Sequence, residues 1–509
     1  MFLVKMITGR MSRKSPDSPP TTTNEETEEY VNVHEELGSI RKKAGLEELE
    51  IPFQARKLPF CHGYLPALEA NHLLIRSGDF LIRFLEDNNK VRVVVSVGLT
   101  STQSYKYREL EEEGREQEEK WKAERAREGG EPFRETIAVN VRHMMVEEED
   151  KLGCTIDEET FFPCLYSLLA YYMFVKREGP QDFNLRNPIN RQYGSFRLTE
   201  INIVRILNNG AYGQVALADI THPAFEQDKA AVKTVKQDLP EWRELEEKLI
   251  KEGRVSTPLD NDNVLRTLGF CYDTKPVQLL FEYCPGGALS KFLVAKSEKM
   301  SNLALARLCL DAARGLDYIH EVGFLHRDVS ARNCLLDENG TVKIAGFGLS
   351  IKTCYYEVWH PEKLPIRYLA PECFNDFQFI AETDVYAFGH ILCEVFNQGQ
   401  LPYAGMSGEQ ARTEILAGKA PSMHGRAPEA LRLYVGGRLL AYHTVYRPPM
   451  HQVVHFLETL ISCLEKHEPE EEGKDEFPME ADNDEAMQPN QATEDVYELL
   501  DPGNRFDIY

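Results

Sequence analysis

A chain of 509 residues has room for two or three domains. Its formal net charge of −24 argues against nucleic acid as the main partner and leaves no polybasic patch for anionic membranes. Eleven cysteines lack metal-ligand spacing and disulfide rhythm, which points to a reducing compartment.

The first residues carry too short an apolar run for a signal peptide, and Phe2 excludes N-myristoylation. No integral membrane segment is expected, because no apolar run approaches bilayer length. The expected location is cytoplasmic. Residues 1–52 are polar and are expected to form a disordered tail, since their composition cannot bury a core. Within them, Tyr30-Val31-Asn32-Val33 follows an acidic run. A phosphotyrosine with Asn at +2 resembles the ligand of adaptor SH2 domains; a tyrosine in a loose tail is the equal alternative.

Order is expected from about Pro59. Phe60-Cys61-His62-Gly63 and Asn71-His72-Leu73-Leu74 lead into Gly78-Asp79-Phe80-Leu81-Ile82-Arg83, whose alternation is that of a strand. Val91–Val97 reads as a second strand. The pattern continues at Val141-Arg142-His143-Met144-Met145 and again from Phe161 to Tyr172. Together these resemble an SH2 domain over residues 58–178, a central antiparallel sheet flanked by two helices. The resemblance implies that Arg83 binds phosphotyrosine through a bidentate guanidinium–phosphate pair, with His143 beside it. Ala67 stands where many members have a second Arg. Phe84 and Leu85 replace the start of the phosphate loop, and Glu86 and Asp87 would repel a dianion, so binding is expected to be weak. An insert at about 105–132, dense in Glu, Arg and Lys, reads as a solvated extension. Residues 179–195 read as a short linker that lets this domain pack on the next one.

Ile201–Leu207 reads as a strand, followed by Asn208-Asn209-Gly210-Ala211-Tyr212-Gly213-Gln214-Val215. Glycines let backbone amides close over phosphates, and Asn208, in place of a first glycine, tolerates positive φ better than most residues. Ala230-Ala231-Val232-Lys233 reads as a strand, Leu249-Ile250-Lys251-Glu252 as part of a helix, and Leu279–Gly287 as a strand and hinge. Then come His326-Arg327-Asp328-Val329-Ser330-Ala331-Arg332-Asn333, Ala345-Gly346-Phe347-Gly348, Leu364–Glu372, Thr383–Gly389 and Arg447-Pro448-Pro449. In this order they resemble the glycine-rich loop, catalytic loop, metal-binding turn and activation-segment end of a protein kinase. Residues 196–465 are therefore expected to be a bilobal kinase fold, and the whole chain a multidomain α+β protein. Residues 466–509 are acidic and expected to be a disordered tail, with Tyr497 behind Glu494-Asp495 as a possible substrate.

The resemblance implies these roles. Leu207, Asn208, Gly210, Gly213, Val215, Ala231, Lys233, Glu282 and Cys284 would hold ATP, with Phe281 narrowing the pocket. Lys233 would pair with Glu252. Asp328 would take the acceptor proton, and Arg332, four residues on, suits a tyrosine rather than a serine or threonine acceptor. Asn333 would hold a divalent metal, Mg²⁺ or Mn²⁺, but Gly346 occupies the place of the other metal-binding residue, an Asp. Asp384 would brace the catalytic loop and Arg447 would pair with Glu372. Tyr355 and Tyr356 are candidate phosphosites or ordinary tyrosines. An SH2 domain followed by a tyrosine-kinase domain resembles non-receptor kinases of the Fes/Fer type, over residues 58–465, without the longer members' amino-terminal coiled-coil region. This implies ATP-dependent phosphorylation of protein tyrosine and phosphotyrosine proteins as partners. Gly346 makes impaired transfer the expectation, with a pseudokinase or a binding scaffold as the alternative.

Overall fold

The computed structural model describes residues 50–87, 90–99, 141–149, 153–157, 160–174, 185–191, 194–222, 225, 228–423, 425–467 and 497–500. Tyr30 and the charged insert at 105–132 lie outside them.

Structure starts before Pro59. Helix α1, Ile51–Arg56, buries Ile51, Gln54 and Ala55, and the Gln54 carboxamide oxygen accepts from the Leu165 amide at 3.1 Å. Ile51 and Ala55 thus supply an apolar face that the polar average of the stretch conceals. Helix α2 is Ala67–Leu73. Strands β1 (Asp79–Asp87), β2 (Lys90–Gly98), β3 (Val141–Glu149) and β4 (Gly153–Thr155) follow, then helix α3, Leu165–Phe174. In β1 the period of two sends Phe80, Ile82 and Phe84 to one face. They stand opposite Val97, Val95 and Val93 of β2 and share a core with Leu165, Leu168 and Tyr172 of α3. The sheet order is β4-β3-β2-β1-β5. Its fifth strand, Asn187–Pro188, pairs parallel with Asp79-Phe80. Part of the stretch expected to be a linker therefore completes the sheet, and Leu185 just before it is fully buried.

The other face of β1 carries Leu81, which packs with Leu65 and Leu74 against Leu249, Ile250, Phe270, Tyr272 and Leu279 of the following unit. Gly63 fits this seam because it sits at φ +64°, where a Cβ would lie 2.2 Å from the Tyr272 carbonyl oxygen. The amide of Tyr64 donates to that same carbonyl at 2.6 Å. Ion pairs Arg191–Asp273, Arg254–Glu69 and Arg243–Glu86 flank the seam.

The second unit has two lobes. The small one is a six-stranded sheet, order β6-β10-β11-β9-β8-β7, with β6 Ser195–Phe196, β7 Ile201–Asn209, β8 Gly213–Ile220, β9 Lys229–Val235, β10 Thr267–Cys271 and β11 Gln278–Glu282. Helix α4, Trp242–Ser256, lies against it and buries Leu249, Ile250, Glu252 and Gly253. The large lobe is helical. Helix α5, Asn302–Glu321, is capped by the Ser301 hydroxyl, which accepts from the Ala304 amide at 3.0 Å. It shares one core with α6, Ala381–Phe396, and α7, Met450–His467. Leu439 and Leu440 pack against Gly389 of α6.

The carboxy-terminal stretch also departs from expectation. Tyr497–Leu500 is a strand, paired antiparallel with Glu362–Pro365, and Leu500 is 2% exposed in the large-lobe core. Acidic composition hid a four-residue segment with its own apolar anchor.

Candidate active site

The cleft between the lobes collects residues from several separate stretches of the chain. Its roof is the β7–β8 hairpin, closed by the Gly210 amide donating to the Gly213 carbonyl at 3.0 Å. A Cβ on Gly213 would lie 2.6 Å from the Thr234 carbonyl oxygen, so only glycine lets the hairpin lie this close to β9. Asn208 differs from expectation. It pairs with Val215 inside β7 and is not among the positive-φ residues; the turn falls wholly after it, so no left-handed residue is required there. Leu207 and Val215 are half-buried beneath the hairpin.

Lys233 and Glu252 meet as expected. The Lys233 ammonium donates to both Glu252 carboxylate oxygens at 2.7 Å. Strand β9 fixes one partner through its register with Val215 and Leu279, and α4 fixes the other. The lysine side chain is 37% exposed and the glutamate 9%, so the ammonium faces the cleft while its anchor is covered. Behind them Ala231 stands opposite Phe281. Phe281 is buried, and Ala231 and Leu335 border the same cluster. Leu335, on the strand Cys334–Leu336, packs against the Phe281 cluster, and no motif announced it. At the hinge the Glu282 carboxylate accepts from the Arg266 amide at 2.7 Å and pairs with Lys343 at 3.3 Å. Cys284 is buried, and burial pushes its thiol well above the usual range, so it is a packing residue rather than a nucleophile.

The catalytic loop is held from below. Asp384 accepts from the amides of His326 at 2.7 Å and Arg327 at 2.9 Å. Burial pushes the Asp384 carboxyl up, but the bonded His320 and His326 hold it below its ordinary value. Arg327 sits at φ +67°, a strained geometry that the two amide bonds support. The Asp328 amide donates to His326 Nδ1 at 3.2 Å. That leaves Nε2 to carry the ring proton and donate to the Ala345 carbonyl at 3.0 Å. Asp328 is 5% exposed, and its Oδ1 accepts from Arg332 at 2.5 Å. The Arg332 guanidinium lies 5.3 Å from the Tyr368 ring centroid. Asn333 Nδ2 donates to the Asp328 carbonyl at 2.7 Å.

Gly346 has φ +83°, and a Cβ there would lie 2.6 Å from Asn333 Cγ. The Asn333 carboxamide thus occupies the space toward which a side chain at 346 would grow. Among the described residues no cluster of three or more His, Cys, Asp or Glu could hold a metal ion. The donors present suit a nucleotide, with the glycine turn and the half-exposed Lys233 ammonium for its phosphates. They do not suit Mg²⁺ or Mn²⁺, which favour anionic oxygen ligands; here a neutral carboxamide stands where two protein ligands were expected.

Below the cleft Glu372 and Arg447 form the expected pair, at 2.6 and 2.9 Å, with the arginine side chain fully buried. Arg327 pairs with Glu362, which also accepts from the Tyr356 hydroxyl. The guanidinium lies 4.1 Å from the Tyr356 ring centroid. Burial first, then the Glu362 carboxylate, pushes the Tyr356 hydroxyl up to about 12. Tyr355 is 46% exposed.

In the amino-terminal unit Arg83, 7% exposed, donates through Nε to the Ser96 hydroxyl at 3.3 Å. Ser96 bonds His143 Nδ1 at 2.8 Å, the two standing opposite each other on β2 and β3. Burial, with the charge of Arg83 second, lowers the His143 imidazole to about 4. Ser96 was not singled out in the sequence, because its role depends on the pairing of β2 with β3.

The family described as protein tyrosine and serine/threonine kinase matches residues 201–457, about half the chain. The tyrosine-protein kinase Fer of Rattus norvegicus is 29% identical over 375 residues, 73% of this chain and 40% of its own length. Fer-related kinase 1 of Caenorhabditis elegans is 27% identical over 384 residues, covering 75% of this chain and 87% of its own length. Spermatocyte protein spe-8 of the same nematode is 26% identical over 70% of this chain and 63% of its own length. The chain thus spans about 40% of the length of the Fer kinase it matches. With the cleft assembled as it is, and the match running from β7 into α7, the chain belongs to the protein tyrosine and serine/threonine kinase family.

Proposed function

We propose that the chain is a cytoplasmic signalling protein of the SH2–tyrosine-kinase class that binds ATP and transfers its γ-phosphoryl group to protein tyrosine slowly. One observation carries this reading. The Lys233–Glu252 pair, Asp328 and Asn333 are set around a cleft in which Gly346 offers no carboxylate. The nucleotide phosphates would lie against Lys233 and the Gly210–Gly213 turn, and adenine between Val215, Ala231 and Leu335 at the Glu282–Cys284 backbone. Asp328 takes the proton of an acceptor tyrosine. The tyrosine oxygen forms the bond to the γ-phosphorus as the bond to the β,γ-bridging oxygen breaks and ADP leaves. Arg332 holds Asp328 in place and, with Tyr368, leaves the acceptor side open to a tyrosine. A divalent metal, when bound, neutralises charge on the phosphates; without a carboxylate for it, the barrier rises by several kcal/mol. The same absence favours nucleotide binding without useful transfer as the second reading.

The amino-terminal unit, about residues 58–178, is the SH2 domain of this reading. Arg83 is a buried cation paired among the described residues with a hydroxyl and no carboxylate, which suits a dianionic ligand such as phosphotyrosine. Calorimetric ATP titration of the parent and of Lys233→Met, each with Mg²⁺, with Mn²⁺ and with chelator, tests the nucleotide site. ATP binding that changes less than threefold on chelation and falls at least tenfold in Lys233→Met is the expected result. Binding indifferent to Lys233 contradicts the reading.

A further inference from the structure

The strand Glu362–Pro365 pairs, among the described strands, with Tyr497–Leu500 alone. The register is complete: Glu362 opposite Leu500, Lys363 opposite Leu499, Leu364 opposite Glu498 and Pro365 opposite Tyr497. An unpaired strand edge is a template for any extended peptide, and this edge lies beside the catalytic loop. Its Glu362 end is tied to Arg327. Its Pro365 end runs into the turn Ile366–Tyr368, whose Tyr368 ring lies under Arg332, the residue that holds Asp328. The edge therefore leads an extended peptide along the loop that carries Asp328, and the position opposite Pro365 is the one next to the Tyr368 turn. The chain's own segment puts a tyrosine there.

We propose that Tyr497–Leu500 is the resident ligand of this peptide-acceptor edge, holding it against peptides from other proteins with Tyr497 at the register position opposite Pro365, beside the Tyr368 turn. Three features support the assignment. Leu500 is buried in the large-lobe core, which anchors the far end of the segment. Glu494, Asp495 and Glu498 are acidic, and Lys363 on the edge is exposed. A segment on the same chain also meets its site at an effective concentration that a free peptide rarely matches. The contact spans four residues, so a phosphotyrosine-free partner of higher affinity, or a change at Tyr497, can release it. The proposal rests on the reading of Asp328 as facing an acceptor peptide, but its test needs neither ATP nor transfer.

Backbone hydrogen exchange of the full chain reads occupancy of the edge directly. In a strand, successive N–H groups point to opposite sides, so of the Glu498 and Leu499 amides one donates into the ladder. The double variant Glu498→Pro/Leu499→Pro removes it, and Leu500→Asp removes the anchor. Either change is expected to speed exchange in Glu362–Leu364 at least tenfold while protection in α5 and α6 stays at the parent level. A synthetic peptide of residues 494–509 should then bind the variants at least tenfold more tightly than the parent. Equal exchange at the edge in parent and variants, or equal peptide binding, overturns the proposal. Should Leu500→Asp lose protection throughout the large lobe, the proline variant alone decides.

Discussion

At position 346 the chain offers no side chain, and the neighbouring Asn333 carboxamide has taken part of the space into which one would grow. Replacing Gly346 by Asp places a Cβ at φ +83° against Asn333. The Asn333 amide must give way, and a non-glycine residue at such an angle costs about 1–3 kcal/mol. Gly346→Asp is accordingly expected to melt lower than the parent, yet to raise Mg²⁺-dependent tyrosine phosphorylation at least tenfold, about 1.4 kcal/mol of barrier. The gain should vanish when Lys233→Met or Asp328→Asn is added. Glu394 offers a second test at this scale. It is fully buried, and burial, opposed by the Ala331 amide and Arg332, raises its carboxyl to about 7. Folded Glu394 therefore keeps its proton where the unfolded chain has lost it. Its contribution is fully present below about 4.5 and is lost as pH rises toward 7, by about 1.4 kcal/mol per pH unit. In Glu394→Gln that dependence should be absent, so denaturant midpoints of variant and parent should diverge between pH 5 and pH 7 in the variant's favour. Parallel midpoints would place the carboxyl in a wetter site than the structure shows.

Elements matter here through what they hold. Helix α6 bears Asp384, which fixes the catalytic loop, and the Glu372–Arg447 pair clamps the segment that precedes it. Removing one member leaves a buried charge without its counterion, so Arg447→Ala should cost about 3–5 kcal/mol in equilibrium unfolding. A loss under 1 kcal/mol would show the pair to be solvated. Helix α4 carries Glu252 on one face, and Arg254 and Arg243 reach Glu69 and Glu86 of the amino-terminal unit. The Lys233–Glu252 ion pair thus has one member on an element that both units grip. On the sheet, Arg83→Ala should weaken binding of a phosphotyrosyl peptide at least tenfold, while an apolar swap at the exposed Leu433 of the large lobe leaves it unchanged. Tight binding that survives Arg83→Ala would move the phosphate site elsewhere.

Across the whole molecule, the sequence was most legible where chemistry demands residue types at fixed spacing. Asp328, Asn333, Lys233 and Glu252 stand in a pattern that few other constraints produce, and the structure brings them to one cleft. The period of two in Phe80, Ile82 and Phe84 was equally readable, because a buried sheet face enforces it. Less legible were features set by contacts distant in sequence. Ser96 matters only because β3 sets His143 opposite it. Glu362 matters because Arg327 turns toward it, and Leu335 because it packs against the Phe281 cluster. Composition misled where a short apolar anchor was diluted by acidic neighbours, at Ile51 and at Leu500. Asn208 was read through a glycine it replaces, whereas the hairpin turns two residues later, at Gly210.

The central claim is that the cleft holds nucleotide but lacks the carboxylate that makes transfer fast. Single-turnover transfer from ATP to a tyrosyl peptide, at saturating nucleotide and Mg²⁺, addresses it most directly. The account predicts a rate at least a hundredfold below the roughly 1–100 s⁻¹ of working kinases, from a protein that binds ATP through Lys233. Transfer within that range, abolished by chelator, would contradict it.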